Sequence, residues 1–362
     1  MAHNGEDQIG DGPVLPLLAN HQGNLPDPLL ATDIAESDID SGYGDSIRDE
    51  AGSISSSMSN LYPPQYHYGR RYHGLNPGSY QIPDDDLEQA RLSMVDYMFQ
   101  LVLHERLHLA PVPTSAVVLD IGTGTGHWAV QFGDQYPDAT VLGIDLSPIQ
   151  PQWVPPNVRF ALDDVEQDWQ DDEPYDYIHC RYMGATLSDW PRLFSQAFDN
   201  LQPGGWLELQ ELVNLVLTEP SQDPDTSSAP SHQPVPPEHP IARLIDNLTI
   251  AFDKLGRPFN PGPNFKRWCE EAGFRNVTEH RFTVPIGDWH PEPRLRELGS
   301  LMAVNIAEGV DAYTTKVFQD TLGWEPKAIA DLNADVRAAV QQSGRERLLY
   351  ELVVVTAQKP RL

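Results

Sequence analysis

Basic residues are scarce in this chain. Its 362 residues hold 24 Lys and Arg against 53 Asp and Glu, a formal net charge of −29. Phosphate backbones and anionic bilayers attract basic surfaces, so this balance argues against broad binding to nucleic acid or membrane. It leaves a basic protein partner open. Cysteine is nearly absent: Cys180 and Cys269 lie 89 residues apart, and neither sits in a metal-ligand or C-x-x-C pattern. A disulfide framework is not indicated, and a reduced intracellular compartment, cytoplasm or nucleus, is the expectation. No apolar run approaches a membrane span. The N-terminus is acidic and lacks an apolar core segment, so no signal peptide is expected. No internal repeat is visible either.

What is present gathers around one stretch, Val117-Val118-Leu119-Asp120-Ile121-Gly122-Thr123-Gly124-Thr125-Gly126. It reads as a short buried strand entering a glycine-rich turn, with a helix over His127 to Gln135 beyond it. Glycines let a backbone turn tightly and approach a ligand, and the helix N-terminus offers unpaired N–H groups. A second strand, Thr140 to Asp145, ends in an acid 19 residues after Gly126. That is the spacing of a carboxylate that grips ribose hydroxyls in a βαβ nucleotide fold. The pattern is G-x-G-x-G, and His127 stands where a dinucleotide fingerprint has its third glycine. A bulky residue there crowds a pyrophosphate, whereas a phosphate-free cofactor such as S-adenosylmethionine needs no free helix end. The plain alternative is a tight strand–helix turn with no ligand.

The rest of the chain supplies a frame. Residues 1–60 carry eleven Asp and Glu against one Arg, too polar to fold alone. They read as a disordered tail, or as a regulatory arm with five serines between 53 and 59. Residues 62–80 are dense in aromatics, with five tyrosines, two histidines and Arg70-Arg71. They read either as a packed loop or as a lid. A helix is expected from about Asp84 to Leu107, ended by Pro111 and Pro113. Further strands are expected at Val158–Leu162, Tyr175–Cys180, Trp206–Leu212, Val277–Val284 and Glu351–Ala357. Helices are expected at Trp190–Leu201, Pro240–Leu255, Phe265–Gly273, Leu295–Leu322 and Glu325–Ser343. Alternating strands and helices predict an α/β fold with a seven-stranded, mostly parallel sheet, helices on both faces and a helical lid or cap. The last strand is free to run antiparallel. The domain plan is tail 1–60, lid and helix 61–115, and main domain 116–358 with a proline-rich insertion at 219–240.

His104-Glu105-Arg106-Leu107-His108 matches H-E-x-x-H, a zinc-protease pattern. The expected helix is about to end there and no third ligand follows, so a helix end is the better reading and no metal is expected.

VLDIGTGTG (118–126), Asp145, the acid after the third strand and LQPGGWLELQE (201–211) resemble the class I S-adenosylmethionine-dependent methyltransferases, a Rossmann-like family. GRRYHGLNPGSYQIPDDDLEQARL (69–92), LHLAP (107–111), DLSPIQPQWVPPNVRF (145–160), DDVEQDW (163–169) and DWPRLFSQAFDNLQPGGWLELQE (189–211) resemble the fungal LaeA-like members. The resemblance implies S-adenosyl-L-methionine as cofactor. It places Asp120, Gly122, Thr123, Gly124, Gly126, Asp145, Leu146, Asp164 (rather than Asp163), Val165 and Arg181 around it. In that scheme Asp120 meets the ammonium, directly or through water, Asp145 the ribose hydroxyls and Asp164 the adenine amine. Arg181 and Tyr182 end the fourth strand beside the methyl group. Tyr72, His73, His179 and Tyr182 are candidate bases, and none stands out. The resemblance implies either a secondary-metabolite enzyme with a small-molecule acceptor or a regulator acting through protein partners, velvet-type factors among them.

Overall fold

Strand β3, Val117–Ile121, is buried on both faces, as a central parallel strand must be. In the computed structural model, which describes residues 62–169, 173–219 and 232–361, it sits near the middle of an eight-stranded sheet. The acidic tail with its serines, the turn residues 171 and 172 and residues 220–231 of the proline-rich insertion lie outside the described residues. A small hairpin, β1 (Gln65–His67) and β2 (Arg70–Tyr72), comes first. Helix α1 (Asp86–Val102) follows, then β3, α2 (His127–Gln135), β4 (Thr140–Asp145), β5 (Val158–Leu162) and β6 (Tyr175–Arg181). Next come α3 (Trp190–Asn200), β7 (Leu201–Thr218), the two-residue β8 (Gln233–Pro234), α4 (Pro240–Lys254) and α5 (Phe265–Glu271). The chain closes with β9 (Arg275–Pro285), α6 (Pro293–Val317), α7 (Pro326–Glu346) and β10 (Leu348–Gln358).

The strand order is β5-β4-β3-β6-β7-β10-β9, with β8 against β7. β3 pairs parallel with β4 and β6, and β10 runs antiparallel to both β7 and β9. The order reverses between β3 and β6, so their carboxyl ends open a crevice of the kind where open α/β sheets bind ligands.

Side-chain alternation along β3 assigns each residue to a face. Leu119 and Ile121 join an apolar cluster with α3 and α5, including Trp190, Phe194 and Phe265. Val118 joins the opposite cluster with Trp128, Phe132 and Tyr177. A third cluster packs α1, α4, α6 and α7 on the β7–β10 end of the sheet.

Helix α1 starts at the N-cap Asp85, whose carboxylate accepts from Glu88 N–H, and stops at Val102 rather than Leu107. His104 and Glu105 take φ of +53° and +62°, which no helix continues. The reason is tertiary. Val102 and Leu103 belong to the cluster with α6, whereas Leu107 and Ala110 must drop into the cluster around Trp128. One straight helix cannot serve both. The H-E-x-x-H residues therefore do not share a helix face. His108 Nδ1–H donates to Ala110 O at 2.7 Å, and its Nε2 lies 2.9 Å from the Tyr136 hydroxyl. Among the described residues no group of three His, Cys, Asp or Glu is placed to hold a metal ion.

Candidate active site

The turn after β3 is built by close packing. A Cβ on Gly126, at φ +76°, would lie 2.5 Å from the Phe160 ring, and one on Gly122 would collide with Met183 Sδ. Gly124, at φ +56°, is different: its Cβ position is open, with only Gly122 O at 4.0 Å. Its N–H donates to Asp145 Oδ2 at 2.8 Å, and Ser147 N–H donates to Asp145 Oδ1 at 2.9 Å. Gln150 Nε2 ties Gly124 O to Ser147 O, at 2.7 and 2.9 Å. The two loops that leave β3 and β4 are thus fastened to each other across one carboxylate. Burial, opposed by those N–H groups, pushes the Asp145 carboxyl up to about 6.

A cavity of about 230 Å³ opens at these strand ends. Gly122, Thr123, Gly124, Asp145, Leu146, Asp164, Val165, Arg181 and Tyr182, all named from the sequence, line it. Asp163 lines it too. Asp164 is engaged from above: Asn76 Nδ2, on the loop after the hairpin, donates to its Oδ2 at 2.5 Å. Asp84, also in the wall, accepts from Arg71 Nε at 3.0 Å and from Ser147 Oγ at 3.1 Å. Arg181 pairs with Asp96 of α1 at 2.5 Å and lies over the Phe99 ring.

Other sequence candidates are not brought to the wall. Gly126 borders a separate shallow depression with His127. Asp120 is buried beneath the turn, where His179 Nδ1–H donates to its Oδ1 at 2.7 Å and Thr123 Oγ to its Oδ2 at 2.6 Å. Period-two alternation explains this: flanked by Leu119 and Ile121, Asp120 faces the α2 side, opposite His179 of β6 in register. His179 is fully buried and stacks on Trp128 at 3.7 Å between ring centroids. Burial holds its imidazole below the ordinary value, so it is neutral, but it has no path to the cavity. Tyr72 and His73 are buried in the hairpin and its exit, again off the wall. Of the four candidate bases only Tyr182 reaches the cavity. Of the five tyrosines in 62–80 only Tyr80 does.

Residues that sequence reasoning did not select complete the inner half. Leu244, Ile245, Leu248 and Phe252 of α4 and Met302 and Ile306 of α6 supply apolar walls. Arg91 of α1 enters among them with Asn305, Tyr313 and Tyr182. Glu211 of β7 lines the wall with no cationic partner among the described residues; it accepts from Gly184 N–H at 2.8 Å and Leu212 N–H at 3.0 Å. Burial pushes its carboxyl up to about 7. The available signal was the helical spacing of Glu88 and Arg91, opposite charges inside an otherwise apolar stripe.

A methyltransferase-domain family model matches residues 94–279. The chain is 46% identical over 314 residues to methyltransferase pytC of Aspergillus terreus, covering 86% of this chain and 93% of that protein. The chain is a class I, S-adenosylmethionine-dependent methyltransferase. It is also 32% identical over 285 residues to the secondary metabolism regulator LAE1 of Cochliobolus heterostrophus, covering 77% of this chain and 87% of that one. Among solved structures, phosphoethanolamine N-methyltransferase 2 of Haemonchus contortus, in complex with phosphomonomethylethanolamine and S-adenosylhomocysteine, is 13% identical. The match spans 87% of this chain and 75% of that chain, at a TM-score of 0.45. This methyltransferase thus has fungal relatives of two kinds, one named as a methyltransferase and one named as a secondary metabolism regulator. No described helix of it is long and apolar enough to cross a membrane.

The residues at the strand ends fit the cofactor. The open side of Gly124 leaves room against the backbone, and the two Asp145 oxygens keep lone pairs for a ribose diol beyond the N–H bonds they accept.

Proposed function

We propose that this methyltransferase modifies a small, largely apolar molecule of fungal secondary metabolism, acting inside the cell, in the cytoplasm or the nucleus. The observation that carries the reading is the cavity itself. It runs from the glycine turn into a chamber walled by apolar side chains of α4 and α6, the form of a small-molecule pocket. In this reading Gly122, Thr123 and Gly124 pass under the methionine and ribose, Asp145 takes the ribose hydroxyls, and Leu146 and Val165 flank the adenine. Asp164 takes the adenine amine in exchange for Asn76. Bound S-adenosylmethionine supplies a methyl group already activated on a sulfonium.

The chain's own task is then positional. Arg181, fixed by Asp96, and Tyr182 border the reacting centre, and the hairpin exit with Asn76 and Asp84 covers it against water. Asp120 sets the turn from below through Thr123 and His179, and it meets the ammonium through water. Deleting the gene and profiling metabolites gives one accumulated unmethylated precursor on this reading, and purified protein methylates that precursor.

The second reading is a regulator that works through a protein partner, and the match to LAE1 over most of both chains favours it. Loss of many unrelated metabolites after deletion, with no single precursor, decides for that alternative.

A further inference from the structure

The inner chamber has a polar corner at Arg91, and its hydrogen bonds do not balance. Arg91 is buried on α1, between Glu88 one turn earlier and Asn305 on α6. Its Nε–H donates to Glu88 Oε2 at 2.9 Å, an Nη2–H to Glu88 Oε1 at 2.5 Å and an Nη1–H to Asn305 Oδ1 at 2.7 Å. A guanidinium has five N–H groups, so one on each terminal nitrogen remains. The guanidinium lies 5.1 Å from the Tyr313 ring centre and 5.8 Å from that of Tyr182. The two tyrosine hydroxyls are 3.1 Å apart. One of them donates to the other, which leaves one O–H to give elsewhere. The corner therefore has donors to spare. Around it the walls are apolar: Val95, Leu244, Leu248, Met302 and Ile306 line the same cavity.

We infer that Arg91, Tyr182 and Tyr313 form the anchoring subsite for the methyl acceptor, and that the acceptor is a neutral, apolar molecule held there through a carbonyl or hydroxyl oxygen. The inference rests on the small-molecule reading above and sharpens it. Surplus donors inside an apolar chamber call for an acceptor atom on the ligand, because a buried N–H or O–H left unpaired is costly. Neutrality follows from charge. Glu88 already balances Arg91, and the remaining acids of the cavity, Asp145, Asp163, Asp164 and Glu211 among them, outnumber its cations. A carboxylate-bearing acceptor would enter a field of its own sign. An amine would be drawn toward those acids but finds at this corner groups that donate as it does.

The test uses full-length protein saturated with S-adenosylhomocysteine and three probes of one shape: 1-acetylnaphthalene, 1-ethylnaphthalene and 1-naphthoate. Binding is read by titration calorimetry. The ketone binds about 10-fold more tightly than the hydrocarbon, the ratio expected of one good hydrogen bond, and 1-naphthoate binds more weakly than the ketone. The Tyr182→Phe/Tyr313→Phe double variant, which keeps both rings and removes both O–H donors, reduces the ketone preference to about 3-fold or less. Arg91→Lys, whose three N–H groups are spent on the same three acceptor atoms, also lowers it, while both variants keep wild-type affinity for S-adenosylhomocysteine. The double tyrosine variant makes the test independent of whether Arg91→Lys folds. A flat response across the three probes in wild-type protein, or a preference for 1-naphthoate, overturns the inference. Loss of S-adenosylhomocysteine binding in wild-type protein would instead strike the cofactor-site assignment beneath it.

Discussion

At the scale of single residues, two acids of this site, Asp145 and Glu211, are held by backbone N–H donors. Glu211 shows what that costs. Its carboxyl is pushed from an ordinary 4.5 up to about 7 by burial. The folded protein therefore holds a proton that the unfolded chain gives up between those values. The sign follows: the stabilising contribution is complete below pH 4.5 and is lost as pH rises through 7. At about 1.4 kcal/mol per pH unit, the linked loss is on the order of 3 kcal/mol. Glu211→Gln mimics the protonated form and removes this slope. In urea denaturation the wild-type protein loses more stability than Glu211→Gln between pH 5 and pH 8. Parallel curves would show that Glu211 titrates normally. Gly126 carries a different constraint, since a methyl there meets the Phe160 ring at 2.5 Å with a backbone at φ +76°. Gly126→Ala is expected to cost about 2 kcal/mol in the same assay, with thermal unfolding as the check.

At the scale of elements, the hairpin is tied to α1, which lines the cavity. Asp85 joins them: it caps α1 through Glu88 N–H and forms an ion pair with Arg70 on β2. The pairing holds its carboxyl below the ordinary value. Asp85→Ala removes the cap, about 1 kcal/mol, and unties β2 from the helix. Hydrogen exchange over residues 65–82 should then quicken, with exchange in β3 and β6 unchanged; equal protection throughout would mean the hairpin is held by Asp84 and Arg71 alone. The elements themselves were largely legible, because β3, α2, β4 and β5 follow from runs of β-branched or periodic residues that local patterning decides. The hairpin was not: Gln65–His67 and Arg70–Tyr72 are three residues each, and polar, below what alternation can register. The true end of α1 was hidden for another reason. His104 to Arg106 would sit well enough in a helix, and only the destination of Leu107, against Trp128, forbids it. Asp120 was placed by its motif when its neighbours Leu119 and Ile121 already indicated the other face. Arg91 and Asn305, far apart in sequence, meet only because α1 packs on α6.

At the scale of the whole molecule, the cavity is walled by elements far apart in the chain. The hairpin exit, α1, the carboxyl ends of β3 to β7, α4 and α6 all contribute walls. A cofactor held there bridges the sheet and its cover, so it should stabilise the fold as one unit. A ligand at about 100 times its Kd adds about 2.7 kcal/mol. For a chain of this size that raises Tm by about 5 °C, readable by calorimetry with S-adenosylmethionine or S-adenosylhomocysteine. The pH dependence identifies the residue responsible. On the proposed reading Asp145 accepts both ribose hydroxyls, which requires it ionised, and burial places its carboxyl at about 6. At pH 7.5 it is charged and the shift is full. At pH 5 it is mostly protonated, one acceptor oxygen becomes a donor, and the shift shrinks. Asp145→Ala removes most of the shift at pH 7.5 and flattens its dependence on pH. Asp120→Asn, changed under the turn rather than in the wall, lowers the unliganded Tm by weakening the charge-assisted hydrogen bond from His179 Nδ1–H, but leaves the ligand-induced increment nearly whole. If instead Asp120→Asn abolishes the increment and Asp145→Ala spares it, the cofactor sits deeper against β3 than the cavity walls indicate.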